Sequence, residues 1–196
     1  HAEFLGDTLA KIAAEKAGII KPGIPVVCSK QPDDVIKVIR SKTDMLIVAG
    51  ENSKFEIISS DSNGTEIFSD AVGMNLSVPL IGSYQGDNCA LAVIMLRELM
   101  NRGFYIPDEA FLRGLQNTKW PGRLETVSFN PRIIIDCTHT PAGAEVVASE
   151  VKRIFGNVIL IFGILKDKDV KAVAEKFGAI SEKAFIVTPD SKRALS

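Results

Sequence analysis

The sequence lacks several features that would assign it at once to a class of proteins. It has no apolar run long enough to span a bilayer, and its N-terminus shows no basic-then-apolar secretion signal. Its three cysteines, Cys28, Cys89 and Cys137, are odd in number and far apart, which argues against a disulfide or zinc framework. We therefore expect a cytoplasmic protein with no membrane partner.

An excess of charge of one sign is also missing. Lysine and arginine number 23 against 24 aspartates and glutamates, and no basic run would suit a nucleic-acid backbone. Nucleic acid is therefore not an expected partner. What the chain does have is 196 residues of which 46% are hydrophobic, enough for one large or two small domains with real cores.

The first half of the chain alternates between helical and strand patterns. They predict a helix over 7–18 with Asp7 as its N-cap and Gly18 at its end, a strand over 24–28, a helix over 33–41 and a strand over 45–49. This alternation predicts a parallel sheet. Between 55 and 80 the runs become short and surround the turn signal Asp61-Ser62-Asn63-Gly64, which predicts a small antiparallel excursion.

The second half begins with two helices and then changes character. The first helix follows the glycine-containing turn, has Asp87 and Asn88 in its first turns and ends near residue 102, and the second is predicted over 108–117. Trp120-Pro121-Gly122 breaks the helical pattern cleanly, so we take it as an interdomain linker. Beyond it the order is β-β-α-β-α-β, typical of an open α/β sheet. The predicted elements are strands over 124–129 and 132–136, a helix over 141–155, a strand over 158–162, a helix over 170–178 and a strand over 184–187.

One stretch of this half carries the first functional candidates. Three consecutive isoleucines before Asp136 predict a fully buried strand, and polar residues follow it. Because open α/β sheets bind ligands outside the carboxyl ends of their strands, Asp136 and His139 are candidate site residues. The alternative is structural: Asp136 or Thr140 only caps the helix that Pro141 starts, and His139 is a solvated loop residue.

Five motifs together extend this interpretation to the whole chain. In order they are His1…Leu5-Gly6…Thr8…Ile12-Ala13…Glu15-Lys16-Ala17-Gly18-Ile19-Ile20-Lys21-Pro22-Gly23; Gly82…Gln85…Asn88…Ala90; Trp120-Pro121-Gly122-Arg123-Leu124-Glu125; Asp136…His139…Pro141…Gly143; and Phe162-Gly163…Asp167-Lys168-Asp169, followed by Thr188…Arg193-Ala194. The set resembles the folylpolyglutamate synthase and dihydrofolate synthase family of the Mur ligase superfamily. No single motif would be convincing alone, but their order and spread make coincidence an unsatisfactory explanation.

The resemblance implies an activity and its cofactors. Members of the family use ATP and Mg²⁺ to phosphorylate a folate or dihydropteroate carboxylate, and the amine of L-glutamate then attacks the acyl phosphate to form an amide. Such chemistry needs positive charge beside the transferring phosphoryl group. The implied partners are thus these small molecules, and the implied parent protein is a monomer.

The resemblance also implies a metal site. His1 matches the family's magnesium-ligand histidine, although a lone N-terminal histidine is otherwise a solvated residue. Lys16 matches the lysine that this family carbamylates near a second metal, and we expect it to be catalytic. Without the resemblance, Lys16 would be a solvent-facing helix lysine. Lys168 and Asp169 match a family loop that could serve the substrate or, equally, cap the next helix.

A nucleotide site follows in the same way. Asn88 and Arg123 match ATP contacts of the family, and the arginine is a forked donor suited to phosphate oxygens. Asp136 matches a residue placed at the ribose hydroxyls. His139 matches one near the phosphates, so it is a candidate both for nucleotide binding and for catalysis.

The departures from the family matter as well. The family usually has Asp-Gly-Ala-His-Asn-Pro where this chain has Asp136-Cys137-Thr138-His139-Thr140-Pro141. Tyr84 stands where the family's Gly-x-His-Gln motif has its histidine. Both differences lie near the implied nucleotide and leave open a divergent specificity within the superfamily.

A phosphate-binding Gly-Lys-Ser or Gly-Lys-Thr loop is absent from the chain. In the family that loop lies upstream, so we expect a C-terminal fragment: residues 1–119 the end of a Mur-ligase-type ATPase domain, and 120–196 an incomplete Rossmann-like open α/β glutamate ligase domain. We expect such a fragment to be inactive alone. Two alternatives stay open, namely a non-catalytic α/β binding module of the same superfamily and a Mur-type ligase for another carboxylate.

Overall fold

The computed structural model describes residues 8–194, and helices and strands alternate along them. The helices are α1 (Leu9–Ala17), α2 (Asp33–Arg40), α3 (Tyr84–Asn101), α4 (Asp108–Gln116), α5 (Pro141–Phe155) and α6 (Val170–Gly178). The strands are β1 (Val26–Cys28), β2 (Leu46–Val48), β3 (Phe55–Asp61), β4 (Gly64–Ser69), β5 (Met74–Val78), β6 (Glu125–Phe129), β7 (Arg132–Ile135), β8 (Val158–Phe162) and β9 (Ser181–Ile186). The predicted mixed α/β class is confirmed.

Capping side chains set the starts of two helices. Thr8 is the N-cap of α1 and its hydroxyl accepts a hydrogen bond from the Lys11 amide at 3.2 Å, so the prediction of Asp7 as the cap was wrong. Aspartate and threonine are both good N-cap residues, so the sequence pattern does not define the start of the helix to within one residue. Thr140 caps α5 by accepting from the Gly143 amide at 3.2 Å, as the structural alternative had it.

Four separate hydrogen-bonded sheets occur among residues 8–194. Strands β1 and β2 pair in parallel, as the alternating first half predicted. The excursion forms a three-stranded sheet in the order β3-β4-β5. Beyond it, β6 and β7 pair antiparallel, whereas β8 and β9 pair in parallel across α6. No helix in the part described is long and apolar enough to cross a membrane.

Strand β7 is not fully buried, and this prediction was wrong. Ile133 is 47% exposed and Ile135 is 45% exposed, while Ile134 packs against a core cluster. A run of three isoleucines does not alternate, so the sequence pattern could not show that only one face of the strand is covered. In the described residues β7 has one hydrogen-bonded neighbour, β6.

The chain divides into two compact units. The first unit comprises the described residues up to Ile58, together with Ile67–Leu76 and Gly86–Gly114. The second unit comprises Ser59–Glu66, Ser77–Gln85 and the described residues from Leu115 onward. Each unit is therefore built from segments that are not consecutive in sequence.

The core of the second unit lies along the apolar face of α5. Val147, Ala148 and Val151 of this helix form a buried cluster with Ile81 and Leu124. Burying each large aliphatic side chain stabilises the fold by about 1.5–3 kcal/mol. This cluster anchors the turn before α3 and the segment after the predicted linker, which both carry candidate site residues.

Candidate functional site

The loop after β7 is fixed by the carboxylate of Asp136. Its Oδ2 accepts a hydrogen bond from the Leu124 amide at 3.0 Å, and its Oδ1 accepts one from the Thr138 amide at 2.7 Å. The amide of Cys137 donates to the Gly122 carbonyl at 2.9 Å. These bonds join the Asp136 loop to the segment that contains Arg123. Asp136 is therefore not a helix cap, and its position is set by two backbone donors.

The segment around Arg123 has an unusual backbone. Leu124 is 2% exposed and has a φ of 44°, in the left-handed region that a leucine rarely adopts. Gly122 has a φ of 71°, and a Cβ there would lie 2.5 Å from the Sγ of Cys137, so only glycine fits. For a leucine such a conformation costs about 1–3 kcal/mol, and it persists where the surroundings hold it in place. Here it leaves the Arg123 side chain exposed between two anchored neighbours.

A surface cleft of about 370 Å³ opens beside Arg123. Its lining includes Trp120 from the predicted linker, Lys119 directly before it and Asn63 from the turn between β3 and β4. The cleft thus combines two cationic side chains with an aromatic ring, and the Glu125 carboxylate in its lining accepts a hydrogen bond from the Gly122 amide at 2.9 Å. That combination suits an anionic ligand that also carries a planar group.

His139 lies on the same loop as Asp136 and is exposed. Its Nδ1 is 3.0 Å from the carbonyl oxygen of Cys137. When Nδ1 carries the proton it donates to that carbonyl, which leaves Nε2 available to a ligand. The residue is solvated, as the structural alternative had it, but its ring is oriented by this contact.

Tyr84, the first residue of α3, is under the electrostatic influence of Asp136 and Arg123. Burial and then the Asp136 carboxylate raise the pKa of the Tyr84 phenol to about 12, although Arg123 acts in the opposite sense. The phenol therefore stays protonated at neutral pH and can donate a hydrogen bond. From the sequence, this position stood out only as a departure from the family pattern.

Glu150 lies near the site, and no sequence motif had pointed to it. It is 8% exposed, and its carboxylate accepts from the Ser83 amide at 2.8 Å, from the Ser83 hydroxyl at 3.0 Å and from Arg153 at 2.6 Å. Burial alone would raise the pKa of Glu150, but the bonds from Arg153 and Ser83 outweigh it and hold the pKa below its ordinary value. The sequence did contain one sign of this role, because Glu150 falls on the apolar face of α5, three residues after Val147.

The remaining candidates belong to other elements of the chain. Lys16 is exposed in the last turn of α1, and Asn88 is exposed in an early turn of α3; both belong to the first compact unit. Asp169 caps α6 by accepting from the Ala172 amide at 3.1 Å, and Lys168 pairs with Asp167 at 3.4 Å. For Asp169 the structural alternative thus holds.

A metal site is not apparent in the described part of the chain. Residues 8–194 contain no group of three or more His, Cys, Asp or Glu side chains that could hold a metal ion. His1 lies outside the described residues. Lys16 as an ammonium has three donors and no lone pair for a metal.

Comparisons with known proteins place this chain in a family. A family profile described as "Mur ligase, glutamate ligase domain" matches residues 122–196. The folylpolyglutamate synthase of Lacticaseibacillus casei is 33% identical over all of this chain and 48% of its own length. The dihydrofolate synthase/folylpolyglutamate synthase of Bacillus subtilis is 30% identical over 99% of this chain and 47% of its own. The chain belongs to the folylpolyglutamate synthase family.

A solved structure of the family shows the same fold. The FPGS-AMPPCP-folate complex superposes with a TM-score of 0.81 at 30% identity, covering 98% of this chain and 49% of the solved one. The present chain spans about half the length of the curated relatives it matches. The resemblance carried by the five motifs is therefore confirmed.

Proposed function

We propose that this protein takes part in the ATP-dependent addition of L-glutamate to a folate or dihydropteroate carboxylate. One observation carries the proposal: the Asp136 carboxylate is fixed by two backbone donors beside Arg123, in a chain of the folylpolyglutamate synthase family. The family's solved complex with AMPPCP and folate supports the choice of ligands.

The proposed reaction has two steps, formation of an acyl phosphate and then of the amide. A carboxylate oxygen of the acceptor bonds to the γ-phosphorus of ATP while the bond to the bridging oxygen breaks, giving an acyl phosphate and ADP. The amine of glutamate then bonds to the acyl carbon, phosphate leaves with the C–O bonding electrons, and the amine releases a proton. Because negative charge develops on the phosphoryl oxygens, fixed cations and donors beside them lower the barrier.

The second compact unit supplies groups suited to the nucleotide. Each oxygen of Asp136 accepts one backbone bond and keeps a lone pair for a ribose hydroxyl. Arg123 offers a forked donor to phosphate oxygens. His139 is oriented through Nδ1 and presents Nε2 to a ligand, and this is the proposed basis of its catalytic role. Asn88 is proposed as a further nucleotide contact on the family resemblance alone.

Mg²⁺ is proposed as the metal that accompanies ATP, where it would neutralise phosphate charge. Lys16 becomes an oxygen ligand only if carbamylation converts its ammonium into a carboxylate-like group, and His1 is the other proposed ligand. Among the described residues, histidine and carboxylate side chains do not form a metal site by themselves. We therefore assign no step to the metal.

We further propose that residues 1–119 form the end of the ATPase domain and 120–196 the glutamate ligase domain. The profile match that begins at residue 122 supports this boundary. A cytoplasmic, monomeric protein that binds neither nucleic acid nor membrane fits the balanced charge of the sequence.

The test is product analysis by mass spectrometry after the full-length protein is incubated with ATP, Mg²⁺ and glutamate and with one acceptor at a time. The acceptors are dihydropteroate, a reduced folate and a peptidoglycan-precursor carboxylate. A glutamyl product from either pterin supports the proposal. A product only from the third acceptor would replace it with another Mur-type ligase, and no product from a folded, nucleotide-binding protein would favour the non-catalytic module.

A further inference from the structure

The turn before α3 is held in place by two buried side chains. The hydroxyl of Thr65 lies 2.9 Å from the Leu80 carbonyl oxygen and 3.1 Å from that of Gly82. Glu150 accepts both the amide and the hydroxyl of Ser83. Since Thr65 is 1% exposed and Glu150 8% exposed, water does not compete with either contact. The start of α3 is thus rigidly positioned.

Gly82 fixes the ring that follows this turn. Its φ is 109°, and a Cβ there would lie 2.6 Å from Cε1 of Tyr84. The ring therefore folds back over Gly82, and its other contacts are with the core cluster around Leu124 and Val147. A ring held from both sides keeps its hydroxyl in one place.

The hydroxyl of Tyr84 is buried and makes no hydrogen bond of good geometry among the described residues. The neighbouring Gln85 side chain acts only to lower the pKa of the phenol, against the larger effect of burial. An unpaired buried hydroxyl destabilises a fold by about 1–3 kcal/mol. Buried hydroxyl groups without a partner are rare in native proteins, so the one on this fixed ring requires an explanation. The charged groups that act on it electrostatically are Asp136, Arg123 and Glu150.

We propose that Tyr84 is a further ligand-binding residue, whose hydroxyl and the Asp136 carboxylate together hold a sugar hydroxyl of the nucleotide. The inference rests on the proposed function. A sugar hydroxyl has one proton and two lone pairs, so it can donate to the free lone pair of Asp136 and accept from the Tyr84 phenol. The phenol is shielded in the ligand-free protein, so side chains over it move when the ligand binds.

The experiment compares Tyr84→Phe with Tyr105→Phe in the full-length protein. Tyr105 is 89% exposed and is the other tyrosine of this chain, which makes it the matched control. Calorimetric affinities are measured for ADP, 2′-deoxy-ADP and 3′-deoxy-ADP, and melting temperatures without ligand. A near-ultraviolet difference spectrum on adding ADP reports the tyrosine environment.

Tyr84→Phe is expected to weaken ADP about tenfold, as loss of one hydrogen bond of about 1.4 kcal/mol would. It should also reduce the preference for ADP over at least one deoxy analogue and remove the tyrosine difference band. Its ligand-free melting temperature should stay the same or rise, because the unpaired hydroxyl is gone. Tyr105→Phe should change none of these.

Three results would overturn the proposal. Unchanged ADP affinity in Tyr84→Phe removes the residue from the site. An equal loss for ADP and both deoxy analogues removes the sugar as its partner. A lowered melting temperature with unchanged analogue preference shows a structural role. Failure of the unsubstituted protein to bind any of the three nucleotides would instead overturn the proposed function, and the inference with it.

Discussion

At the scale of single residues, a substitution of Arg123 tests nucleotide binding most directly. Its side chain is exposed, whereas its neighbours Gly122 and Leu124 are buried and bonded to the Asp136 loop. The hydrogen bonds of its neighbours therefore fix the position of the arginine. A substitution should affect the ligand and not the structure.

Arg123→Ala is expected to weaken binding of an ATP analogue about 30-fold, because a charge-assisted contact of roughly 2 kcal/mol is lost. The melting temperature should be unchanged. Titration calorimetry measures the first and thermal denaturation the second. Arg113→Ala, an exposed arginine paired with Glu109, is the control and should behave like the unsubstituted protein. Equal affinity in both variants would exclude Arg123 from the site.

Glu150 makes stability depend on pH. Because the pKa of Glu150 is lowered in the fold by Arg153 and Ser83, the unfolded chain binds the proton more tightly. The stabilisation is fully present above the ordinary glutamate pKa of about 4.3 and is lost as the pH falls through the folded value. Stability should therefore decline on acidification below about pH 5.

Glu150→Gln tests this assignment. The variant should lose about 1–3 kcal/mol of unfolding free energy at pH 7 and show a shallower decline at acidic pH. Denaturant unfolding at several pH values measures both. Glu175→Gln, which removes an exposed pair with Lys171, should lose at most about 0.5 kcal/mol. Parallel pH curves for Glu150→Gln and the unsubstituted protein would show that another group is responsible.

At the scale of elements, two glycines allow the cost of a steric clash to be separated from the cost of backbone strain. Gly64 begins β4 with a φ of 145°, and a Cβ there would lie 2.3 Å from the Val78 carbonyl oxygen. Gly103 has a φ of 92°, but nothing lies within 4 Å of its Cβ position. The two sites share an unfavourable φ and differ in the clash.

Gly64→Ala should therefore destabilise the protein more than Gly103→Ala. Gly103→Ala carries only backbone strain, about 1–2 kcal/mol, whereas Gly64→Ala must also displace the backbone at β5. Chemical denaturation of both variants measures the difference. Equal losses would mean that the sheet accommodates the added methyl group at no cost.

Local signals explain which elements the sequence could predict. Pro141 after Thr140 marked the start of α5, and the glycine-containing turn after Asp61 marked the change to short strands. These signals act over a few residues. The partial exposure of β7 depends on what packs against its faces, and the bond between Ser83 and Glu150 joins residues 67 apart. Neither could be predicted from a local pattern.

The site was predictable to the same extent. Asp136 and Arg123 were identified from motifs, and the structure brings their segments together through the Leu124 amide. The anchoring role of Glu150 and the orphaned hydroxyl of Tyr84 required three-dimensional contacts. Whether Lys16 and Asn88 act in the reaction stays a prediction.

At the scale of the whole molecule, we propose that the protein joins glutamate to a pterin carboxylate at the expense of ATP. Membership of the folylpolyglutamate synthase family rests on relatives of which this chain spans about half. The activity of the whole protein therefore needs a measurement in which each substrate is withheld in turn. Residues 1–196 alone should give no steady ATP- and glutamate-dependent phosphate release.

The decisive measurement is phosphate release by the full-length protein with ATP and Mg²⁺, with and without glutamate, and with and without dihydropteroate or a reduced folate. We expect sustained release only when glutamate and the pterin compound are both present, since phosphate leaves when the amine attacks the acyl phosphate. Phosphate release in the absence of glutamate or of the pterin compound would contradict the proposed ligation. So would the absence of any phosphate release from a folded protein that binds ATP.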